Sequence, residues 1–147
     1  MLDVSLRQAF PDDQAVIRDM IRAARLDPTG LHWSHFWIAE HDGEVVGIGQ
    51  VRPYPNCREL GSLVVRADYR GRGVGAQIVQ TLLEQEKGTV YLECETHNEA
   101  FYNRFGFRRI PRLQAPMPLR LKLIAALGLR LFGIQVIGMK RENEQSA

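Results

Sequence analysis

Arg70-Gly71-Arg72-Gly73-Val74-Gly75 places three glycines where one kind of hydrophobic pattern gives way to another. Before it, Leu63-Val64-Val65 is a continuous apolar run, the pattern of a central strand buried on both faces. After it, Ile78, Val79, Leu82 and Leu83 recur with helical spacing until Gly88 stops them. At a strand-to-helix junction the unpaired N–H groups of the first helical turn, reinforced by the helix dipole, make an anion site. Glycines let a phosphate approach the main chain, and Arg70 and Arg72 add charge-assisted hydrogen bonds suited to a pyrophosphate.

Working outward toward the N-terminus, Val4, Leu6 and Phe10 read as an opening strand. Pro11, Asp12 and Asp13 supply a helix start, and Ile17, Met20, Ile21 and Ala24 form one apolar stripe that ends at Asp27-Pro28-Thr29-Gly30. Trp37 to Glu40 and Val45 to Arg52 are strand-like runs joined by His41-Asp42-Gly43-Glu44, whose Asp-Gly pair favours a tight hairpin turn. Glu59 to Val65 follows as the next strand. Beyond the glycines, Thr89 to Glu95 is a further strand, and Thr96-His97-Asn98-Glu99 has the form of a capping box for a short helix reaching Phe105. Gly106 closes that helix, Phe107 to Ile110 is extended, and a last strand is expected around Gln135 to Lys140. The plan is mixed α/β (α+β).

A length of 147 residues fits one domain spanning 1–147, with a single core large enough to fold without a metal or disulfide. Apolar residues at 45% and charged ones at 24% exclude disorder, collagen and coiled coil. Nineteen basic against 17 acidic residues, a net charge of +2, make no case for nucleic acid. Two cysteines, Cys57 and Cys94, form no disulfide framework, and no basic-then-apolar leader precedes the first polar residues, so a cytoplasmic setting is expected.

One oily segment stands apart. Leu119 to Met139 is interrupted by Arg120, Lys122 and Arg130, which fails the rule of about 20 uninterrupted apolar residues for a membrane span. Within the extra segment 116–133, residues 119–132 are apolar nearly all round, so as a helix they should be buried or cover a partner. A homodimer contact or a roof over a pocket is expected. Membrane-surface attachment competes, since the three cations could face lipid phosphates, but a membrane is not an expected partner. The polar tail 142–147 should fray.

Which phosphate ligand the glycines hold is narrowed by what is missing. No lysine follows them, so a P-loop fails. Gly71-x-Gly73-x-x-Ala76 does satisfy the dinucleotide fingerprint, with Glu93 or Glu95 about 20 residues on. That fingerprint begins directly after its strand, however, whereas Arg66 to Arg70 intervene here, and an antiparallel section precedes.

Arg70-x-x-Gly73-x-Gly75 resembles the acyl-CoA motif, R/Q-x-x-G-x-G/A, of the GNAT superfamily of N-acetyltransferases. Glu59-Leu-Gly-Ser-Leu-Val-Val65, the strand Thr89 to Glu95 and Ala100-Phe-Tyr-Asn-Arg-Phe-Gly-Phe107 fall in that family's order and spacing, so the resemblance covers about residues 4–110 and the final strand. It implies a mostly antiparallel central sheet flanked by helices, to which the apolar helix before the last strand is an addition. It implies further that main-chain groups of Leu63, Val64 and Val65 hold the pantetheine arm of acetyl-CoA. Arg70, Gly71, Arg72, Gly73, Val74, Gly75 and Ala76 would wrap the pyrophosphate. Tyr102 falls where the family often keeps a tyrosine facing the thioester sulfur, and Glu59 where some members keep a general base. Asn98 lies near a cofactor-contacting position, although the family's commoner asparagine position is held by Glu95.

Acetyl transfer gives each of the positions implied by the resemblance a chemical task. A lysine-like amine, pKa about 10.4, is only about one part in 2,500 deprotonated at pH 7, a deficit of about 4.6 kcal/mol, so something must take its proton. Glu59 can do so, directly or through water; its alternative reading is a strand-end carboxylate paired with Arg58 or another arginine. A backbone N–H of the 63–65 segment can hold the oxyanion, and the Tyr102 phenol can serve the departing thiolate or simply pack its helix. His32, His35, His41 and His97 lack companions at metal spacing, so no metal is expected. The expected function is transfer of acetyl from acetyl-CoA to a primary amine of a small molecule, amino acid or peptide by direct attack in a ternary complex. The alternatives are a Rossmann-type dinucleotide-binding module and a non-catalytic CoA-binding regulatory protein.

Overall fold

The computed structural model of the chain describes residues 1–143. Most of the tail expected to fray, 144–147, lies outside the described residues. The chain divides into two compact units, Met1–Arg52 with Leu60–Gln85, and Pro53–Glu59 with the chain from Glu86 onward.

The first unit contains β1 (Ser5–Gln8), α1 (Gln14–Ala23), β2 (Phe36–His41), β3 (Glu44–Pro53), most of β4 (Arg58–Val65) and α2 (Val74–Glu84). Its strands are neighbours in the order β1-β2-β3-β4, and the β1–β2 and β2–β3 pairs are antiparallel. The β2–β3 turn is the Asp-Gly pair: Asp42 and Gly43 have φ of 50° and 77°, the positive values a two-residue turn of this twist requires. The α1 stripe is used as its spacing predicts. Ile17 and Ile21 are fully buried among Phe36, Ile38, Ile48 and Val64, with Met20 and Ala24 at the margin of the cluster. Each such burial contributes roughly 1.5–3 kcal/mol of transfer free energy. On α2, Val74, Ile78, Val79, Leu82 and Leu83 are buried. The helix lies so close to β3 that a Cβ on Gly47 or Gly49 would stand 2.7 or 2.8 Å from Ile78. The alternation Val46-Gly47-Ile48-Gly49 thus offers one branched face to α1 and one bare face to α2.

The second unit contains the start of β4, β5 (Val90–Glu95), α3 (Glu99–Asn103), β6 (Arg108–Ile110), α4 (Leu119–Ala125) and β7 (Val136–Arg141). Glu59 of β4 pairs in parallel with Tyr91 of β5, and the strand order continues β5-β7-β6 with both of those pairs antiparallel. The last strand in sequence therefore enters between β5 and β6. With one parallel pair and four antiparallel ones described, the arrangement is the mixed, mostly antiparallel one expected, and it is not the doubly wound parallel sheet of a dinucleotide-binding module.

Three local expectations are corrected. Thr96 does not cap: it lies inside a 3₁₀ turn, Thr96–Asn98, with Glu95 before it. The Thr96 N–H that a capping-box Glu99 would accept from is donated to Gln135 O at 3.0 Å, and Glu99 instead accepts from Arg109 at 2.6 Å. In β4, Val64 is buried but Leu63 and Val65 are only half-buried, so the apolar run does not mark burial on both faces. The apolar helix expected over 119–132 is α-helical only to Ala125 and continues as 3₁₀ turns over Ala126–Phe132. Leu119 and Leu123 of α4 are buried with Ala115 against Tyr91, Ile110 and Val136. The bare Gly138 makes room for them: a Cβ there would stand 2.9 Å from a Leu123 methyl.

Candidate functional site

In the first unit, the 3₁₀ turn Ala67–Tyr69 leads from β4 into the glycine loop. Gly71 and Gly73 have φ of 76° and 82°, a left-handed conformation that side chains resist. Gly73 is the N-cap of α2 and has no side chain with which to cap it. The helical ladder begins at Gln77 N–H, which donates to Gly73 O at 3.2 Å. The N–H groups of Val74, Gly75 and Ala76 precede that first bond, so they are the orphan donors of the helix start, where the positive end of the dipole favours an anion. A Cβ on Gly71 would meet nothing within 4 Å, so the main chain there is open to a bulky group. Arg70 is fixed by a bond from Nε to Val65 O at 3.2 Å, and the Arg72 guanidinium lies 5.6 Å over the Tyr69 ring; both side chains are exposed. The loop is also tied to the N-terminus, which the sequence did not reveal. Leu2 N–H donates to Arg72 O at 2.8 Å, Gln77 Nε2 donates to Leu2 O at 2.6 Å, and the Met1 side chain lies against Gly73.

Along β4, Ser62 has φ 52°, a break in strand geometry just ahead of Leu63-Val64-Val65. Its hydroxyl accepts from Gln50 Nε2 at 2.8 Å, and Gln50 is wholly buried.

In the second unit, Glu59 is 4% exposed. Lys122 Nζ of α4 donates to its two carboxylate oxygens at 3.2 and 3.3 Å and to the Tyr54 hydroxyl at 3.0 Å. A lysine from the oily segment is thus among the partners of Glu59, and Arg58 pairs with Glu86 at 2.6 Å. Lys122 and Tyr54 were not among the expected site residues. The only signal for Lys122 was its being a cation inside an apolar run, and nothing in the spacing linked it to a carboxylate 63 residues away.

Tyr102 sits on α3 with its ring edge-on to Phe101 and Phe107, at 5.0 and 6.1 Å between centroids. Its hydroxyl has no hydrogen-bond partner among the described residues. Burial, with a smaller contribution from Cys94, pushes the phenol well above its ordinary range, so it stays neutral. Burial likewise pushes the Cys94 thiol up to about 12. Asn98 is exposed at the junction of the 3₁₀ turn and α3. Gly73 and its loop therefore lie in one unit, and Glu59, Asn98 and Tyr102 in the other. Among the described residues no group of three or more His, Cys, Asp or Glu could hold a metal ion. His32 is engaged locally, its Nδ1 accepting from Ser34 N–H at 3.3 Å.

A sequence model of the acetyltransferase (GNAT) domain matches residues 32–109, from the turn before β2 into β6. The chain belongs to the GNAT acetyltransferase family. α4 and the 3₁₀ turns that follow it lie beyond the matched residues. Among relatives of this GNAT chain, N-acetylaspartate synthetase of Danio rerio is 32% identical over 111 residues, which cover 67% of this chain and 38% of that protein. N-alpha-acetyltransferase RimI of Mycobacterium tuberculosis is 33% identical over 85 residues, covering 52% of this chain and 54% of that one. The chain thus spans about half or less of the length of these two curated relatives. Among solved structures, N-acetylglutamate synthase of Neisseria gonorrhoeae, complexed with coenzyme A and N-acetyl-glutamate, superposes with a TM-score of 0.76 at 21% identity over 97% of this chain and 35% of that one. Rv2747 of Mycobacterium tuberculosis, in complex with CoA and NLQ, gives 0.75 at 19% identity over 95% of this chain and 99% of that one. At such identities the superpositions establish a shared GNAT fold.

Proposed function

We propose that this chain transfers the acetyl group of acetyl-CoA to the α-amine of an amino acid or peptide, by direct attack in a ternary complex. The observation that carries the reading is the uncapped start of α2 behind two left-handed glycines. The orphan N–H groups of Val74, Gly75 and Ala76 bind the diphosphate of the co-substrate, with Arg70 and Arg72 reinforcing them and Gly71 leaving the main chain bare. The backbone of Leu63 to Val65 takes the pantetheine arm, and one of its N–H groups faces the thioester oxygen where negative charge develops. Asn98 contributes a peripheral contact to the co-substrate.

The amine nitrogen forms a bond to the thioester carbon while its proton passes to Glu59, directly or through one water, and the carbon–sulfur bond then breaks to release the thiolate. Lys122 and Tyr54 hold the Glu59 carboxylate in place for this step. Tyr102 donates a hydrogen bond to the departing sulfur. Because its phenol is held above the ordinary range, complete transfer of its proton to a thiolate near 8.5 is uphill, so it stabilises the sulfur and the free thiol takes its proton from solvent. An α-amine as acceptor is favoured by the relatives, whose names specify N-acetylaspartate, N-acetyl-glutamate and N-alpha acetylation.

Thiol release from acetyl-CoA, measured against a panel of amino acids, short peptides, polyamines and lysine side-chain mimics, tests the proposal. Turnover with an α-amine supports it. Stabilisation by acetyl-CoA in thermal unfolding with no turnover on any amine would leave a CoA-binding protein in its place, and stabilisation by NAD alone would overturn both.

A further inference from the structure

The outward side of the 113–132 segment is apolar, and no contact among the described residues covers it. Leu113, Met117, Leu121, Ile124 and Leu131 follow one another at steps of three, four and seven, and all are exposed, Leu131 to 89%. Phe132, beside Leu131, is 80% exposed. Leu121 and Ile124 lie on α4 away from Leu119 and Leu123, which are buried in the core, while Leu113, Met117, Leu131 and Phe132 extend the exposed apolar set into the turns before and after the helix. Across the same stretch the charge has a single sign: from Pro111 to Arg141 the chain contains no aspartate or glutamate. Arg112 and Arg130 have no ion-pair partner among the described residues, and Arg120 is tied only through Nε to Ala115 O at 3.0 Å. Lys122 is spent inward on Glu59. No helix among the described residues is long and apolar enough to cross a membrane.

We propose that this face lies on an anionic lipid surface, with Leu121, Ile124, Leu131 and Phe132 entering the headgroup–acyl boundary and Arg112, Arg120 and Arg130 meeting lipid phosphates. An apolar face flanked by cations alone is the composition that binds in the plane of such an interface, where burial of side chains and attraction to anionic headgroups add together. A second copy of the chain fits less well. A two-fold contact would bring the same patch against itself, setting arginines against arginines with no acidic residue in the segment to match them. The inference is independent of the acetyl-transfer reading.

The test is flotation of the full chain with vesicles of phosphatidylcholine alone and of phosphatidylcholine mixed with phosphatidylserine, alongside sedimentation velocity over a range of concentrations. The expected result is a monomer that floats with the mixed vesicles about tenfold better than with the neutral ones, and less well as salt is raised. Phe132→Glu and Leu131→Glu, at positions outside the core, should abolish flotation without changing the unfolding temperature. Arg130→Glu should remove the preference for the anionic lipid. Failure to float with either vesicle, or equal flotation with both, overturns the proposal. So does a concentration-dependent dimer that Phe132→Glu dissolves, which would assign the face to a second copy.

Discussion

Lys122 Nζ stands within 3.3 Å of both carboxylate oxygens of Glu59, so a residue outside the matched family domain holds a carboxylate inside it. The Glu59 side chain is 5% exposed and that of Lys122 24%. Removing the ammonium takes one charge-assisted partner from a buried carboxylate, which costs about 2 kcal/mol. Lys122→Met should therefore lower stability by about that amount in chemical denaturation and reduce turnover, and Lys122→Arg should recover most of both. A Lys122→Met protein as stable as the parent would show that the pair stabilises nothing.

Glu59→Gln leaves the Lys122 ammonium bonded to the Tyr54 hydroxyl and partly open to water, so its cost in stability should be nearer about 1 kcal/mol. Its expected effect is on chemistry: turnover falls about a hundredfold at neutral pH while coenzyme A affinity, read by calorimetry, is unchanged. Parent-like turnover would return Glu59 to a structural role.

Tyr102→Phe should lower turnover about tenfold and leave acetyl-CoA affinity intact, because only a hydrogen bond to the leaving sulfur is lost. Since burial raises the phenol, its neutral form persists where a free tyrosine would ionise. The alkaline limb of the parent's pH–rate profile should therefore show no loss of activity near pH 10 attributable to a tyrosine. A limb at that position that disappears in Tyr102→Phe would contradict this.

Cys94 gives a prediction free of any functional reading. Its thiol titrates near 12 in the folded chain against an ordinary value of 9.0. Between those two values the unfolded chain has lost a proton that the folded chain keeps, so stability falls as pH rises through about 9 to 12. Urea midpoints measured across the lower part of that window should decline, and less steeply in Cys94→Ala. At pH 8 the folded thiol should react with iodoacetamide at least about tenfold more slowly than in urea.

Gly71 and Gly73 separate backbone conformation from contact. Both need positive φ, so alanine at either costs about 1–2 kcal/mol. A Cβ on Gly73 would in addition stand 2.7 Å from the Met1 side chain, whereas one on Gly71 meets nothing. Coenzyme A affinity should fall at least tenfold in each variant, since each shifts the donors or blocks the open main chain. Calorimetry showing unaltered affinity in both would remove the loop from co-substrate binding.

What the sequence makes legible here is what is encoded over short distances. The Asp42-Gly43 turn, the Ile17–Ile21 stripe and the glycine loop each follow from a few adjacent residues whose backbone needs admit few alternatives. The arrival of β7 between β5 and β6 could not be read, because it depends on pairings between distant segments. The misplaced cap at Thr96 has the same origin: a locally sound motif lost its N–H to Gln135, a partner that folding supplied. The Glu59–Lys122 pair is the functional counterpart. Glu59 was singled out by the family resemblance, but Lys122 came from a segment whose hydrophobicity drew the eye and whose inward cation did not.

The bonds that run from Leu2 to Arg72 and from Gln77 to Leu2 have a practical corollary. Residues fused ahead of Met1 would emerge beside Gly73, next to the amides proposed to hold the co-substrate. Recombinant protein for binding work should carry its tag at the other terminus, and a cleaved amino-terminal tag that leaves a few stray residues would be a poor substitute.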